Sequence, residues 1–197
     1  AVWLASSTHA GEDEILLGAH ERLRAEFPDA LLIIAPRHPE RGEAIAALAG
    51  GAPRRSLQQP IGGAQAYVAD TLGELGLFYA LAPASFVAGS LLADLKGHNP
   101  AEPAKLRSAI VTGPWVESFQ DLFEALIAAK GAVLARDAIE IAVEIVKLWR
   151  DEALRTQRID AAEAVMGQGA AALDTTVAQL AALLPAPQST RAANASA

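Results

Sequence analysis

The hydrophobic periodicity of this chain switches repeatedly between two and about 3.6 residues, and that alternation limits its fold more than any other feature. Short apolar runs at residues 2–5, 31–35, 66–69, 85–88, 109–112 and 132–135 read as strands. Between them the spacing is helical, over residues 12–27, 39–48, 73–81, 100–106 and 119–130. From 137 to 184 the pattern stays helical, with breaks near Asp151 and near Gly167 and Gly169. Strands that are each followed by a helix run parallel, joined by right-handed crossovers with helices on both faces. The expected fold class is therefore α/β, a doubly wound parallel sheet, whose ligands bind beyond the carboxyl ends of the strands.

At 197 residues the chain is long enough to bury one full core. With 52% hydrophobic and 20% charged residues it lies far from disordered compositions. No apolar stretch approaches the roughly 18 residues that a membrane span needs, so the domain is expected to be soluble. There is no cysteine, which excludes a disulfide framework and thiolate metal sites and fits a reducing compartment. A net charge of -7 disfavours nucleic acid as a partner, because such binding depends on lysine and arginine neutralising phosphates. An anionic ligand must be held by local cations. The chain opens on AVWLAS, without initiator methionine or signal-peptide pattern, and reads as the second half of a longer protein. The tail PAPQSTRAANASA has no apolar periodicity and is expected to be disordered, which leaves residues 1–184 as the folded domain and 185–197 as tail.

Polar residues and glycines gather after the strands. After the first comes SSTHAGEDE, in which Ser7 or Thr8 is placed to cap the helix and Glu12, Asp13 and Glu14 complement its dipole without any catalytic role. Ser6, Thr8 and His9 lie closer to the strand end, where hydroxyl and imidazole groups can meet a ligand. After the second strand, PRHPER releases Arg37, His38 and Arg41 at a helix amino end, where anions are favoured. Arg37 is the candidate ligand there, and Arg41 a surface charge or structural ion pair. In DTLGELGLFYALA, Gly73 and Gly76 permit a close approach, Leu75 belongs to the apolar face, and Glu74 either caps the helix or faces a ligand.

The stretch KGHNPAEP carries the strongest local signal. Pro100 suits a helical first turn, where its missing N–H costs nothing, so Asn99 becomes the expected cap and the following amides an anion cradle. Lys96 and His98 add donors or charge, Gly97 permits a tight approach, and Glu102 can accept hydrogen bonds from a ribose diol. The motifs GxGxxG, GxxxxGK[ST] and GxSxG are absent at the positions where a classical dinucleotide fold, a P-loop enzyme or an α/β-hydrolase needs them. His9, His20, His38 and His98 lack the close spacing of a zinc site, and neither a metal nor a cofactor is expected.

The ordered set STHAGEDE, PRHPER, DTLGELGLFYALA, FVAGSL, GHNPAEPA and TGP resembles the carboxyl-terminal half of the 3-deoxy-D-manno-octulosonic acid (Kdo) transferases of lipopolysaccharide synthesis. The resemblance runs from about Trp3 to Leu184. It implies a GT-B glycosyltransferase built of two Rossmann-like halves, the second binding the donor CMP-Kdo. The first half would hold the lipid A precursor, a carboxylate base and an amino-terminal anchor, which puts the whole protein at the cytoplasmic face of the bacterial inner membrane. Carried onto this chain, Arg37, His38, Gly73, Glu74, Leu75, His98, Asn99 and Glu102 would meet the nucleotide and its phosphate, with Ser6, Thr8 and His9 near the interdomain cleft. No catalytic base falls within this sequence. The family usually shows glycine at Lys96 and an acidic residue at Ala10. Two other readings fit the same residues: a UDP-sugar transferase or epimerase domain, and a noncatalytic nucleotide- or partner-binding module.

Overall fold

The computed structural model describes residues 1–183, so the tail at 185–197 lies outside the described residues. Six strands form one parallel sheet: β1 (Val2–Thr8), β2 (Leu31–Pro36), β3 (Ala66–Val68), β4 (Ala84–Val87), β5 (Ala109–Thr112) and β6 (Ala132–Leu134). Their order is β3-β2-β1-β4-β5-β6, and every pairing is parallel. The helices are α1 (Glu12–Arg24), α2 (Gly42–Leu48), α3 (Leu75–Leu81), α4 (Ala101–Lys105), α5 (Gln120–Ala128), α6 (Ala138–Arg150) and α7 (Glu152–Leu183). The chain winds outward from β1 through β3, returns to β4, and winds outward again, so the order reverses between β1 and β4. In doubly wound sheets a crevice opens at such a reversal.

Alternation along the central strands explains why helices cover both faces. Trp3 and Ala5 of β1 join Phe86 of β4 and Ile34 of β2 in a core with Leu16 of α1, Ile45 of α2 and Ile145 of α6. Leu4 and Ile33 point the other way, to Tyr67, Phe78 and Tyr79 beside α3. Val87 and Ile110 likewise meet Phe123 and Leu126 of α5 and Ala162 of α7. Hydrophobic transfer worth about 25 cal/mol per Å² acts on both faces of each central strand.

Several boundaries differ from the sequence reading. α1 stops at Arg24 rather than Phe27, because Pro28 disfavours helical geometry in the residue before it. α3 begins at Leu75, since Gly73 has φ +81 and cannot belong to a right-handed helix. β1 runs three residues further than expected, to Thr8, because β2 and β4 both keep pairing beside it: Ser6 lies opposite Ala35 and Val87, and Thr8 opposite Pro36. Ser7 is the extra residue of a bulge and takes a left-handed φ of 58.

The break near Asp151 separates α6 from α7, but the backbone is helical through Gly167 to Leu183. The chain divides into two compact units, Ala1–Met166, which holds the whole sheet, and a second that begins at Gly167. Among the described residues no helix is long and apolar enough to cross a membrane.

Candidate functional site

The reversal between β1 and β4 brings two histidines together. His9, just past β1, and His98, in the loop after β4, meet edge to edge with ring centroids 5.1 Å apart and planes 9° from parallel, their Nε2 atoms 2.8 Å apart. His38, past β2, meets the edge of the His9 ring at a centroid distance of 5.8 Å. Burial, then the nearby His9, Arg37 and His38, pull the His98 pKa down to about 4. Burial also lowers that of His9, and His38, Arg41 and Arg37 oppose its protonation while Glu12 favours it. Three imidazoles and an arginine from three strand ends therefore share one rim. Among the described residues no group of three or more His, Asp or Glu is placed to hold a metal.

Beside them a small pocket of about 180 Å³ opens between the ends of β2 and β3 and the start of α3. Ser7, Pro36, Arg37, Thr71, Gly73 and Leu75 line it. The bulge in β1 turns Ser7 toward it, and the left-handed Gly73 allows its rim to bend. Arg37 is exposed and makes no ion pair among the described residues, whereas Arg41 pairs with the buried Asp13 and donates to the Thr8 carbonyl at 3.1 Å. Of the two arginines of PRHPER, Arg41 is thus the structural ion pair that its place in the sequence allowed, while Arg37 stands exposed at the rim. A larger cleft of about 430 Å³, lined by His20, Arg24, Gly50 and Gln65, lies toward the amino end of β3, away from the rim where parallel sheets bind ligands.

The loop after β3 is internally braced. Asp70 accepts from the Ser56 amide and hydroxyl at 2.8 and 2.7 Å and from Arg54 Nε at 2.8 Å. Burial alone would raise the Asp70 pKa, but these three donors outweigh it and the net shift is downward. Glu74 is gripped by Arg55 through both carboxylate oxygens and by the Thr71 hydroxyl, which together hold its pKa down to about 2. Its carboxylate is therefore a partner of Arg55, a residue the sequence did not single out. Arg55 lies 19 positions upstream in a Pro/Gly-rich stretch without periodicity, and no local signal connects the two.

The loop after β4 corrects part of the expectation. Asn99 Oδ1 does accept from the Ala101 amide at 2.9 Å, but that bond uses the first amide of the supposed cradle. Pro103 has no N–H, so of the amides opening α4 only that of Glu102 has no protein acceptor among the described residues. An anion cradle of several amides does not form there. Gly97 is occupied as well: its φ is +84, and a Cβ on it would meet Val116 Cα at 2.8 Å, so its tight approach is to the loop after β5 rather than to a ligand. Lys96 is exposed with a left-handed φ of 61. Glu102 is exposed, with Oε1 beside Gly76 on α3.

Ser6 and Thr8 are 0% exposed. Ser6 accepts from the Tyr79 hydroxyl at 2.7 Å and donates to the Phe86 carbonyl at 3.2 Å, so it ties β1 to α3 and β4 instead of facing a cleft. Neither Ser7 nor Thr8 caps α1, whose N-cap is Gly11 at φ +90 without a side-chain bond. The acidic run also behaves differently. Glu12 is fully buried and accepts the amides of His9, Gly89, Ser90 and Leu91 at 3.1, 2.8, 2.9 and 3.0 Å. Its only signal in the sequence is an acid at a helix start, which looks the same as ordinary dipole compensation.

No family model matches the chain. It is 39% identical over 151 residues to the 3-deoxy-D-manno-octulosonic acid transferase of Haemophilus influenzae, an alignment covering 73% of this chain and 35% of that protein. The chain thus spans about a third of the length of the curated relatives it matches. Among solved structures, the C-terminal CMP-Kdo binding domain of WaaA from Acinetobacter baumannii superposes with a TM-score of 0.79 at 32% identity, over 84% of this chain and 88% of that one. The C-terminal domain of a group 1 glycosyl transferase from Francisella tularensis shares the fold at a TM-score of 0.58 and 12% identity, over 85% and 84% of the two chains. The architecture is thus that of the carboxyl-terminal, Rossmann-like half of a GT-B glycosyltransferase. The chain belongs to the Kdo transferase family.

Proposed function

We propose that this domain binds the sugar nucleotide CMP-Kdo for an inverting glycosyltransferase that moves Kdo onto a lipid A precursor in lipopolysaccharide synthesis. The observation that carries the reading is the likeness, at a TM-score of 0.79 and 32% identity, to a domain described as binding CMP-Kdo. The rim supports it: the Arg37 guanidinium, with the His38 and His98 imidazoles as further hydrogen-bonding groups, gathers beside the β1 and β4 strand ends in a chain of net charge -7. A nucleotide monophosphate ester needs this kind of local compensation. Charge-assisted hydrogen bonds from a guanidinium are among the strongest a protein offers a phosphate.

In this reading Arg37 and His38 donate to the phosphate, and Gly73 and Leu75 shape the pocket that takes the nucleoside. Glu74, with Arg55, stiffens the lip of that pocket. From the loop after β4, His98, Asn99 and the amide of Glu102 complete the site in this reading, with the Glu102 carboxylate accepting from a ribose diol. Lys96, as a mobile point charge, attracts the donor's phosphate and carboxylate. Inverting transfer further requires a base that takes the proton from the acceptor hydroxyl, while donors here stabilise the departing CMP phosphate. We assign the base, the acceptor site and the contact with the inner membrane to the remaining part of the full-length protein.

Calorimetry with CMP tests the reading. The domain should bind CMP weakly and should not transfer Kdo by itself. Competition separates the alternatives: UDP displacing CMP at equal concentration favours a UDP-sugar enzyme, and no uptake of any nucleotide favours a partner-binding module.

A further inference from the structure

The carboxylate of Glu12 joins two loops that are far apart in the chain. Oε2 accepts the amides of His9 at 3.1 Å and Gly89 at 2.8 Å, and Oε1 those of Ser90 at 2.9 Å and Leu91 at 3.0 Å. A carboxylate has about four lone-pair sites, and here each is met by a backbone N–H. An acid in the first turn of a helix usually faces its own helix amides or water. Glu12 instead is 0% exposed and bonds across to residues 77, 78 and 79 positions away.

The two bonds at Oε2 have a geometric consequence. One fixes the backbone of His9, and the other fixes Gly89, which forms the floor beneath His98. Gly89 has φ +72, and a Cβ there would meet His98 Cδ2 at 2.5 Å, so the imidazole rests directly on that glycine. The Gly89 carbonyl accepts from the Gly97 amide at 2.7 Å, which holds the start of the His98 segment from the same residue. The 2.8 Å approach of His9 Nε2 to His98 Nε2 is thus the product of two backbones clamped by one oxygen.

We infer that Glu12 is a positioning residue for nucleotide binding, setting the register of the β1 and β4 loops and through it the His9–His98 pair. The inference rests on the proposed CMP site. Replacing Glu12 by glutamine substitutes an NH₂ donor for one oxygen, so at least one pair of the four amides loses its acceptor and faces another donor in a buried space. The strands and their cores do not use those bonds, so the loss is directed at the rim.

The test uses the whole 197-residue chain, CMP as probe and the ¹⁵N ring signals of His9 and His98 as a second readout. In Glu12→Gln the Kd for CMP should rise tenfold or more, and the paired Nε2 signals, one donating and one accepting, should collapse to those of independent rings. Leu126→Ala, a truncation on the α5 side of the core, serves as a control of comparable melting loss and should leave both readouts in place. If Glu12→Gln does not fold, Glu12→Asp keeps the charge, shortens the reach and should give a smaller change of the same sign. The inference is overturned if ring signals and CMP affinity survive the change at Glu12, or if Leu126→Ala reproduces both losses. Failure of the unaltered chain to bind CMP would sink the nucleotide reading instead, and the ring signals would still decide whether Glu12 sets the pair.

Discussion

The imidazoles of His98 and His9 meet edge to edge in nearly parallel planes, with one hydrogen bond between Nε2 atoms 2.8 Å apart. Such a contact needs one ring to donate and the other to accept, so it cannot survive protonation of both. Another neutral imidazole is buried at the wall of the cleft near the amino end of β3: His20 Nδ1 accepts from Trp3 Nε1 at 3.1 Å and its Nε2 lies 2.7 Å from the Gln65 carbonyl, with burial holding the pKa down to about 4. Both His20 and His98 move from an ordinary 6.5 to about 4, so the unfolded chain binds more protons between those values. Stability from these groups is fully present above about pH 6.5 and is lost as pH falls toward about 4. Melting temperature should fall across that window, and a His20→Gln, His98→Gln double variant should show a flatter slope. An unchanged slope would count against the assignment.

The two arginines of PRHPER should behave in opposite ways. Arg37→Ala should cost about 1.5 to 3 kcal/mol of CMP binding, the scale of a charged hydrogen bond, with little change in melting. Arg41→Ala leaves Asp13, whose side chain is 0% exposed, without its cation, and removing one partner of a buried pair costs about 3–5 kcal/mol of stability. Calorimetry and denaturant unfolding on both variants measure the split. CMP affinity unaltered by Arg37→Ala would remove that residue from the site.

Lys96 holds a left-handed backbone at φ 61, a conformation that costs an L-residue about 1–2 kcal/mol. Lys96→Gly relieves that cost while deleting a charge from the rim. The melting temperature should hold or rise as the affinity for CMP drops, whereas Lys96→Ala keeps the strain and loses the charge. Affinity unchanged in both variants would make Lys96 a bystander.

Glu74 is expected to titrate near 2 because Arg55 and Thr71 both donate to it. In Arg55→Ala the carboxyl should return toward an ordinary value near 4.5, followed by the carboxyl ¹³C shift. Since Glu74 and Arg55 stiffen the lip of the pocket in the proposed site, the same variant should weaken CMP. A low pKa that persists without Arg55 would mean that Thr71 alone holds the group.

The α/β architecture was legible because burial on two faces leaves its mark in the one-dimensional pattern. Apolar runs at 31–35 and 109–112, each followed by an amphipathic helix, dictate parallel strands whatever the loops do. The strand-end location of Arg37, His38 and His98 followed from the same logic, since connectivity decides which residues stand at the carboxyl rim. What the sequence hid depends on partners distant along the chain. Glu12 reads as a helix-dipole acid until β4 arrives beside β1 and offers it three amides, and Ser6 reads as a rim hydroxyl until two neighbouring strands bury it. The cradle at Pro100 failed for a local reason, Asn99 and Pro103 together consuming or removing its amides. Periodicity records which side of an element is buried, because transfer free energy acts residue by residue. Hydrogen-bond partnership is settled only when tertiary packing fixes which donor reaches which acceptor.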